Sequence, residues 1–411
     1  MVNISPFAVF IRDLAIILIV GKLFEELFSL IDYPPVLGDI LAGIIIGPTV
    51  LGLVQPNEIT EHVAWFGVAV LLFLAGLETR FSEFRHYFTP MSTIAVLGVI
   101  VSFALGYAVG SILSYDATTC LILGALLVAT SVSITVKTMI ELKVLNTPEG
   151  MSILGAAVLD DILGLLVLTL VLQIVHGRGI CLLEIAVTMV LALLFWFTIV
   201  FLGHRCSRHI HRFLSFFKVE DSRYVIVLAL MLLVAHSSEY VRLAPIVGAY
   251  AFGLALSEMP AVSRYHDRLA IIANTFATVF FVYATASLDF KEAMRFEYIL
   301  LYVLVLTSGI ISKVIGCGIG AIVAGFDAVR ALRVGVGMMP RGEVCLTIAT
   351  LGLALDFIPL EVYLSAIVLI YVSTLLTPPM LKLLYSPRIV NAIQILSTRI
   401  KRYIRGRVRS T

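Results

Sequence analysis

The chain is 411 residues long, and 60% of its residues are hydrophobic whereas only 14% carry a charge. Its mean hydropathy of +1.05 lies far above the range of soluble domains, which excludes a soluble fold. The composition predicts an integral, multi-pass membrane protein and indicates no enzyme. The net charge of +2 gives no sign of a nucleic-acid partner, because most basic residues report membrane topology instead.

A helical membrane crossing needs about 20 apolar residues, and the sequence predicts thirteen of them. The first contains five charged residues, which we expect near its ends or against neighbouring helices. The thirteen predicted spans lie at about residues 6–30, 36–54, 62–79, 91–113, 117–141, 149–175, 182–203, 222–239, 242–257, 267–288, 297–325, 329–355 and 359–385.

Basic residues set the predicted orientation. Thirteen spans place the two termini on opposite sides, and the basic segment 386–411 is expected in the cytoplasm as a tail that contacts lipid headgroups. Twenty lysines and arginines then fall on the cytoplasmic side and four on the other. We therefore predict a cytoplasmic C-terminus and an external N-terminus in a prokaryotic cytoplasmic (inner) membrane. No cleavable signal peptide is expected.

The order of the spans predicts one transporter domain over residues 1–411, without a soluble domain. Its longest loop, 204–221, follows a linker helix at about 182–203. This helix joins two inverted six-helix repeats at about 6–175 and 222–385, an arrangement typical of secondary transporters.

Two spans at matching positions of the repeats contain helix-breaking sequence. Span five contains Ala129–Thr135, ATSVSIT, and span twelve contains Gly335–Val344, GVGMMPRGEV. Broken helices release backbone groups that protein atoms or a water-filled cavity must satisfy. The two breaks indicate either a mid-membrane binding site or packing kinks, and their matching positions favour a site.

Two adjacent carboxylates, Asp160 and Asp161, lie in the middle of span six. Each costs a few kcal/mol in a membrane, and consecutive helical positions point about 100° apart. The two side chains therefore have different surroundings. Lys313 lies deep in span eleven and needs a carboxylate partner, either Asp160 or Asp161. A static ion pair would explain one aspartate but not the second, which favours transport of protons or small cations.

These residues resemble those of a known family. The Asp-Asp pair, the lysine in Ser312-KVIG, and the segments Pro35–Gly52, Phe73–Glu78 and Pro340–Val344 resemble sodium/proton antiporters of the NapA type. These belong to the monovalent cation:proton antiporter superfamily, with NhaA and the Kef transporters. The resemblance covers nearly the whole chain. It implies an all-α NhaA-like fold with two broken crossing helices, and a homodimer.

The resemblance also implies residue roles. Asp161 would be the carboxylate that binds the cation, and Asp160 would pair with Lys313. Thr130 and Ser131 would offer oxygen atoms to a partly dehydrated cation, so that Asp161 and Thr130 are the expected Na⁺ ligands. The remaining expected site residues are Glu343, which would offset helix-dipole ends or Arg341, and the supporting residues Arg341, Pro340 and Ser133.

An Asp-Asp pair with a lysine implies electrogenic exchange of two protons for one Na⁺ or Li⁺ at one shared site, by alternating access, in the service of pH homeostasis. Exchange of K⁺ for protons remains open. A sodium-coupled solute symporter of similar fold and a passive cation channel or sensor are alternatives from other classes. Kef-like gating is not expected, because only about 25 residues follow the last span.

Other residues indicate no cofactor besides the transported Na⁺ and H⁺. The five cysteines show neither a metal-ligand spacing nor a disulfide framework. The histidines at 204, 209 and 211 lie in a basic loop that is expected at the membrane interface. Asp39 in span two fits either the lining of a water funnel or a polar contact.

Overall fold

The computed structural model describes residues 5–175, 182–260, 262–287 and 295–386, and the secondary structure within these ranges is helical. A 3₁₀ turn at Phe296–Tyr298 precedes the thirteenth α-helix. The α-helices are α1 Pro6–Leu30, α2 Val36–Ile46, α3 Glu58–Glu78, α4 Phe81–His86, α5 Phe88–Ile112, α6 Ala117–Val128, α7 Val132–Glu141, α8 Pro148–Val175, α9 Leu182–Ser215, α10 Glu220–Glu239, α11 Pro245–Leu256, α12 Val262–Ala286, α13 Ile299–Val323, α14 Ala328–Gly337, α15 Glu343–Ala354 and α16 Leu360–Tyr385.

Within the described ranges, nine helical segments are long and apolar enough to cross a membrane, with α6 and α7 counted as one segment. Shorter apolar helices lie at Val36–Ile46, Pro245–Leu256 and Val344–Ala354. The prediction of an all-α, multi-pass membrane protein is therefore confirmed. A helix overlaps each of the thirteen predicted spans, whereas the count of thirteen crossings remains a prediction.

The charges of α1 are paired along one helix. Arg12 contacts Asp13 with 2.7 Å between Nη2 and Oδ1, and Lys22 contacts Glu25 with 2.8 Å between Nζ and Oε2. Asp13 is buried, whereas the side chains of Arg12 and Lys22 are about half exposed. Long basic side chains can keep their charged ends at a polar boundary while the helix stays in apolar surroundings.

The predicted loop at 204–221 is wrong over most of its length, because α9 continues to Ser215. The segment from His204 to Ser215 contains neither proline nor glycine, so no residue there stops a helix. The 34 residues of α9 measure about 51 Å, well beyond a hydrocarbon core of about 30 Å. The basic residues of this segment therefore extend the helix instead of forming a loop.

Glycines bring the long helices into close contact. At the crossing of α3 and α11, a methyl group on Gly76 would lie 2.5 Å from the carbonyl oxygen of Tyr250, and Cα of Gly253 would lie 2.9 Å away. Only small residues permit such close backbone packing between membrane helices.

A second glycine seam lies between α5 and α13. A methyl group on Gly316 would lie 2.9 Å from the carbonyl oxygen of Leu97 and 3.2 Å from Cα of Gly98. A methyl group on Gly98 would collide with Cys317 Sγ and lie 3.7 Å from Lys313 Nζ. The close approach of these helices positions the lysine in the buried interior.

Both predicted helix interruptions are present. The first separates α6 from α7 over residues 129–131, and the second separates α14 from α15 over residues 338–342. Each pair begins with an aspartate that caps its first helix. Asp116 accepts hydrogen bonds from the backbone N–H groups of Thr118 and Thr119, and Asp327 accepts them from Val329 and Arg330. The pair α6–α7 and the pair α14–α15 thus both begin with an aspartate cap, and both are interrupted after about three helical turns.

Candidate ion-binding site at the two interrupted helices

The two interruptions contact each other directly. The backbone N–H of Ser131 donates a hydrogen bond of 2.8 Å to the carbonyl oxygen of Pro340. Thr135 Oγ1 donates one of 2.6 Å to the carbonyl oxygen of Gly337. Both acceptors are carbonyls that the α14–α15 interruption releases from intrahelical hydrogen bonding, and α7 satisfies them as a membrane interior requires.

The side chain of Arg341 lies at this contact and is fully buried. Its Nη2 donates a hydrogen bond of 2.9 Å to the carbonyl oxygen of Gly309, and its Nη1 lies 3.4 Å from Thr130 Oγ1. Among the described side chains, no carboxylate forms an ion pair with this guanidinium. A buried positive charge therefore lies between the two interruptions and is held by neutral oxygen atoms.

Two hydroxyl groups of α16 fix the backbone of Arg341. Its N–H donates to Ser373 Oγ over 3.1 Å, and its carbonyl oxygen accepts from Thr374 Oγ1 over 3.2 Å. The second interruption is therefore attached to α16 as well as to α7, and its backbone groups have partners without a continuous helix.

The predicted contact between Lys313 and Asp160 is present. Lys313 Nζ lies 2.6 Å from Asp160 Oδ1, and both side chains have no solvent exposure. Within the described part of the chain, the second oxygen, Asp160 Oδ2, is buried and has no hydrogen-bond partner. One carboxylate in an apolar helix is thus compensated by the ammonium group of α13, although its hydrogen-bonding capacity is not filled.

Asp161 follows Asp160 on α8 but has different surroundings. Its side chain is half-buried, whereas that of Asp160 is buried. This difference agrees with the 100° rotation between consecutive helical residues. Asp161 is therefore the more accessible of the two carboxylates.

α13 brings the ion pair and the crossing together. Gly309, which accepts from Arg341, and Lys313, which contacts Asp160, are four residues apart on this helix. Residues at that spacing lie on the same face, about one turn apart. The buried ion pair is therefore adjacent to the contact between the interruptions.

Most of the predicted site residues gather at the crossing. Thr130, Ser131, Pro340 and Arg341 belong to it directly, and Ser133 contributes through a hydroxyl contact of 3.3 Å with Ser131. Thr130, predicted to bind Na⁺, has its hydroxyl within reach of a guanidinium donor in this conformation. Glu343 begins α15, and its side chain lies outside the part that the structure describes.

A cavity of about 120 Å³ reaches the crossing from one side. It lies between α2, α3 and α12 on one side and α7, α15 and α16 on the other. Ser131, Arg341 and Gly342 line it at the crossing, and Glu61 is the one carboxylate among the described side chains that line it. Neither Asp160 nor Asp161 lines it. The cavity leads to the crossing and stops before the aspartate pair.

Sequence reasoning missed several residues of this site: Gly309, Ser312, Ser373, Thr374 and Ser102, whose hydroxyl donates to that of Ser312 over 3.2 Å. Single serines, threonines and glycines are common in membrane helices. Their spacing in the sequence therefore gives no signal. Gly309, Ser373 and Thr374 are identified by their contacts with Arg341, and Ser102 and Ser312 by their contact with each other.

Comparison with known proteins identifies the family. Residues 14–385 match the model of the family described as sodium/hydrogen exchanger, transmembrane. The chain is 33% identical over 376 residues to a Bacillus cereus protein named Na⁺/H⁺-K⁺ antiporter GerN, a match that covers 91% of this chain and 95% of the relative. It is also 33% identical to an Enterococcus hirae protein named Na⁺/H⁺ antiporter, with 91% and 97% covered.

A solved structure has the same fold. The sodium proton antiporter MjNhaP1 from Methanocaldococcus jannaschii superposes with a TM-score of 0.70 at 17% identity, and the match covers 92% of this chain and 96% of that protein. At this identity the similarity bears on the fold alone. The family match covers most of the sequence, and two relatives above 30% identity extend over nearly its whole length. The chain therefore belongs to the sodium/hydrogen exchanger family, a group of monovalent cation:proton antiporters.

Proposed function

We propose that this protein is a secondary active antiporter that exchanges protons for Na⁺ or Li⁺. The observation that carries the proposal is the pair of adjacent carboxylates on α8, of which Asp160 is sealed in an ion pair with Lys313 and Asp161 is half-buried. The names of the relatives, which describe Na⁺/H⁺ antiporters, support the same activity.

In this proposal Asp161 is the exchange site, and it holds either a proton or a cation. Asp160 and Lys313 form the neighbouring pair that sets the charge of the site. Thr130 and Ser131 supply hard oxygen ligands, with Asp161 and Thr130 as the direct ligands of Na⁺. The supporting groups are Glu343, which offsets the positive end of α15, and Ser133, Pro340 and Arg341, which hold the crossing.

Competition at one site explains exchange without an energy-consuming domain. Cation entry displaces the proton of Asp161, and a high proton concentration expels the cation. Coupling requires that the site opens to one side at a time. The cavity lined by Ser131 and Arg341 would form the outer part of the path on one side, and movement of the interrupted helices against α2, α3 and α12 would extend it to Asp161 and open the other side in turn.

The architecture that we propose has thirteen crossings in one domain over residues 1–411. Two inverted repeats at about 6–175 and 222–385 flank a linker helix at about 182–203, and 386–411 is a cytoplasmic tail. The matching interruptions and the aspartate caps at Asp116 and Asp327 support this repeat. We also propose a homodimer in a prokaryotic inner membrane, with an external N-terminus.

The proposed stoichiometry is electrogenic, with two protons for each Na⁺. A site that contains two aspartates and one lysine can release two protons when a cation enters, one from Asp161 and one from the pair of Asp160 and Lys313. The buried contact of 2.6 Å between Lys313 and Asp160 supports a role of this pair in proton release. A proton on Asp160 removes its charge and breaks the interaction with Lys313, so the bound proton is readily lost when a cation enters.

Potassium is the second candidate cation. The relative GerN carries both Na⁺ and K⁺ in its name, which favours K⁺ as an additional substrate of this chain. Selectivity between the two ions depends on the number and spacing of the oxygen ligands.

Transport in proteoliposomes tests the proposal. The purified protein is reconstituted with a pH-sensitive dye inside, and Na⁺, Li⁺ or K⁺ is added outside. We expect Na⁺ and Li⁺ to change the internal pH in the wild type, and Asp161→Asn to abolish this response while folding is retained. Glu297→Gln, which removes an exposed carboxylate, serves as the control and should transport normally. Wild-type rates for Asp161→Asn would contradict the proposed site.

A further inference from the structure

A second group of charged residues, which runs from the half-exposed Lys22 to buried side chains, lies where α1, α2, α7 and α12 meet, on different helices from the aspartate pair of α8. Asp39 of α2 is fully buried and Lys137 of α7 nearly so. α12 contributes only uncharged polar groups here. The group consists of Lys22 and Glu25 from α1, Asp39 from α2, Lys137 and Glu141 from α7, and Asn274 and Thr278 from α12.

Most of these side chains have ordinary partners. Lys137 Nζ donates to Asn274 Oδ1 over 3.1 Å and lies 3.6 Å from Glu141 Oε1. Glu141 Oε2 also accepts from the backbone N–H of Val36 over 3.3 Å. These contacts connect α7, which contains one side of the crossing, with α2 and α12.

Glu25 is held from two sides. It accepts from Lys22 Nζ over 2.8 Å and from Thr278 Oγ1 over 2.9 Å. Lys22 Nζ also lies 3.3 Å from the carbonyl oxygen of Asn274. The other acidic residue of this turn, Glu26, is exposed and lies outside the group.

Asp39 differs from the other carboxyl groups because both of its oxygens lack a described hydrogen-bond partner, whereas Glu141 lacks one only at Oε1. Neither of its carboxyl oxygens accepts a hydrogen bond from any donor that the structure describes, although both are buried. Gly21 allows α1 to approach so closely that a methyl group there would lie 3.1 Å from Asp39 Oδ1. The same methyl group would touch Thr278, whose hydroxyl donates to Glu25, so the carboxyl groups of Glu25 and Asp39 are neighbours around Gly21 and Thr278. Two ionised carboxylates only accept hydrogen bonds, so a proton on one of them is needed to supply a donor between these neighbours.

The charge balance of the group also favours one bound proton. Three carboxyl groups and two ammonium groups carry a net charge of about −1 when all are ionised, and the group is neutral with one proton added. An uncompensated charge in an apolar interior is costly. A single proton between Glu25 and Asp39 therefore both supplies the missing hydrogen-bond donor and neutralises the group.

We propose that Glu25 and Asp39 form a proton-binding site that holds one shared proton at neutral pH. The site is separate from the exchange site proposed at Asp161, and its occupancy does not depend on transport. The bound proton stabilises the contact of α1, α2 and α12 with α7. Its loss leaves a net negative charge at this contact, so deprotonation weakens the attachment of α7, whose N-terminal end contacts the second interruption through Ser131 and Thr135.

Infrared spectroscopy of the purified protein tests the site, because only a protonated carboxyl group gives the carboxylic-acid carbonyl band. In the difference between the spectra of the wild type and Glu25→Gln, where any proton on Asp161 or Asp160 cancels, we expect a band of one carboxyl group per chain that disappears as the pH is raised to alkaline values. Glu25→Gln and Asp39→Asn should each remove it, since either amide donates to the remaining carboxylate and replaces the proton. Loss of the same band in both variants is the signature of a shared proton.

The control is Asp13→Asn, which removes another buried carboxylate of α1 that Arg12 already compensates. This variant should keep the band. Asp161→Asn should keep it too, which separates this test from that of the exchange site. A band that survives in Glu25→Gln or in Asp39→Asn, or its absence from the wild type, would overturn the proposal. If one amide variant does not fold, the other gives the same test.

Thermal stability gives an independent measurement. Because the folded protein holds a proton that the unfolded chain releases at neutral pH, the site contributes stability at lower pH that is lost as the pH rises. We expect the wild type to lose more stability on alkalinisation than Glu25→Gln, whose amide keeps the contact at every pH. Equal losses in the two proteins would contradict a shared proton.

Discussion

The backbone N–H of Ser131 donates its hydrogen bond to the carbonyl oxygen of Pro340 over 2.8 Å. This single bond joins the interruption of one helix pair to that of the other. Proline has no N–H and disrupts the helix around it, so the carbonyls next to it need partners from outside their own helix. Pro340, which interrupts the pair α14–α15, thus also leaves free the carbonyl oxygen to which the N–H of Ser131, between α6 and α7, donates.

We predict that Gly342→Ala disturbs this contact. A methyl group at Gly342 would lie 2.7 Å from Ser131 Oγ and 2.8 Å from its Cβ. Such distances force the two interruptions apart and displace the oxygen atoms of Ser131. We expect the exchange rate in proteoliposomes to fall by about tenfold or more, which corresponds to about 1.4 kcal/mol in the activation barrier.

The matched control is Gly318→Ala, because a methyl group there would lie 3.6 Å from its nearest neighbour, the carbonyl oxygen of Ala331. This is an ordinary contact distance, so exchange should stay near the wild-type rate. Equal rates for the two variants would mean that the spacing of the interruptions does not control transport.

We predict a strong energetic coupling between Lys313 and Asp160. Lys313→Gln leaves a fully buried carboxylate without its ammonium partner. Breaking a buried pair in this way costs about 3–5 kcal/mol. Asp160→Asn should be destabilising as well, whereas the double variant should be more stable than the sum of the single effects implies, because no buried charge remains unpaired.

Chemical denaturation in detergent measures these effects, and Lys218→Gln, at an exposed position, is the control with no expected loss. Additive effects of the two substitutions on the free energy of unfolding would show that Lys313 and Asp160 do not stabilise each other, despite their contact of 2.6 Å.

Apolar runs and isolated charges made much of this architecture predictable. The order of the apolar segments gave the helices, because burial in lipid leaves few alternatives to a helix. The contact of Lys313 with a carboxylate followed from the cost of an unpaired ammonium in a membrane, and Asp160 was one of two candidates. The second interruption could be placed because Pro340 and the glycines around it break helices locally, and the first because its serine, threonine and β-branched residues have poor helix propensity.

Other features depend on which helices meet, and this is not encoded in local spacing. The hydrogen bonds of Arg341 to Gly309 and Ser373 join residues that are 32 positions apart in each case. The sequence leaves Asp39 open between the lining of a funnel and a polar contact, because local spacing does not show which residues of other helices face it. The predicted loop at 204–221 ends α9 too early, because its basic residues contain nothing that stops a helix.

We predict that the cap of α6 contributes to stability in a pH-dependent way. The hydroxyl of Thr119 donates to Asp116 over 2.6 Å and, with the N–H groups of Thr118 and Thr119, lowers the pKa of that carboxyl group. Asp116→Ala should therefore cost about 1 kcal/mol at neutral pH. The charge-dependent part is present above the unfolded pKa of about 3.9 and is lost as the pH falls through the lower folded value.

The measurement is the free energy of unfolding at neutral and at acidic pH for the wild type and two variants. Asp116→Asn keeps an acceptor without a titratable charge, so it should retain most of the cap and show less acid sensitivity than the wild type. An identical pH dependence in the wild type and Asp116→Asn would show that the carboxylate of Asp116 does not contribute to acid unfolding.

We predict that transport responds to membrane voltage. If two protons move against one Na⁺, each cycle carries one net charge, and a potential of 100 mV contributes about 2.3 kcal/mol to it. In proteoliposomes clamped with potassium and valinomycin, a potential should speed or slow Na⁺-driven proton movement according to its sign. With the voltage held at zero, Na⁺ accumulation should follow the square of the proton ratio.

Lys313→Gln extends this experiment to the residues that carry the charge. If the pair of Lys313 and Asp160 releases the second proton, this variant should exchange one proton for one Na⁺ and lose its voltage response while Asp161 still transports. Asp161→Asn should be silent at every voltage. A wild-type protein that shows no voltage response and a linear dependence on the proton ratio would refute the two-proton stoichiometry. That result would still leave Asp161 as the exchange site, because competition between one proton and one cation needs only a single carboxylate.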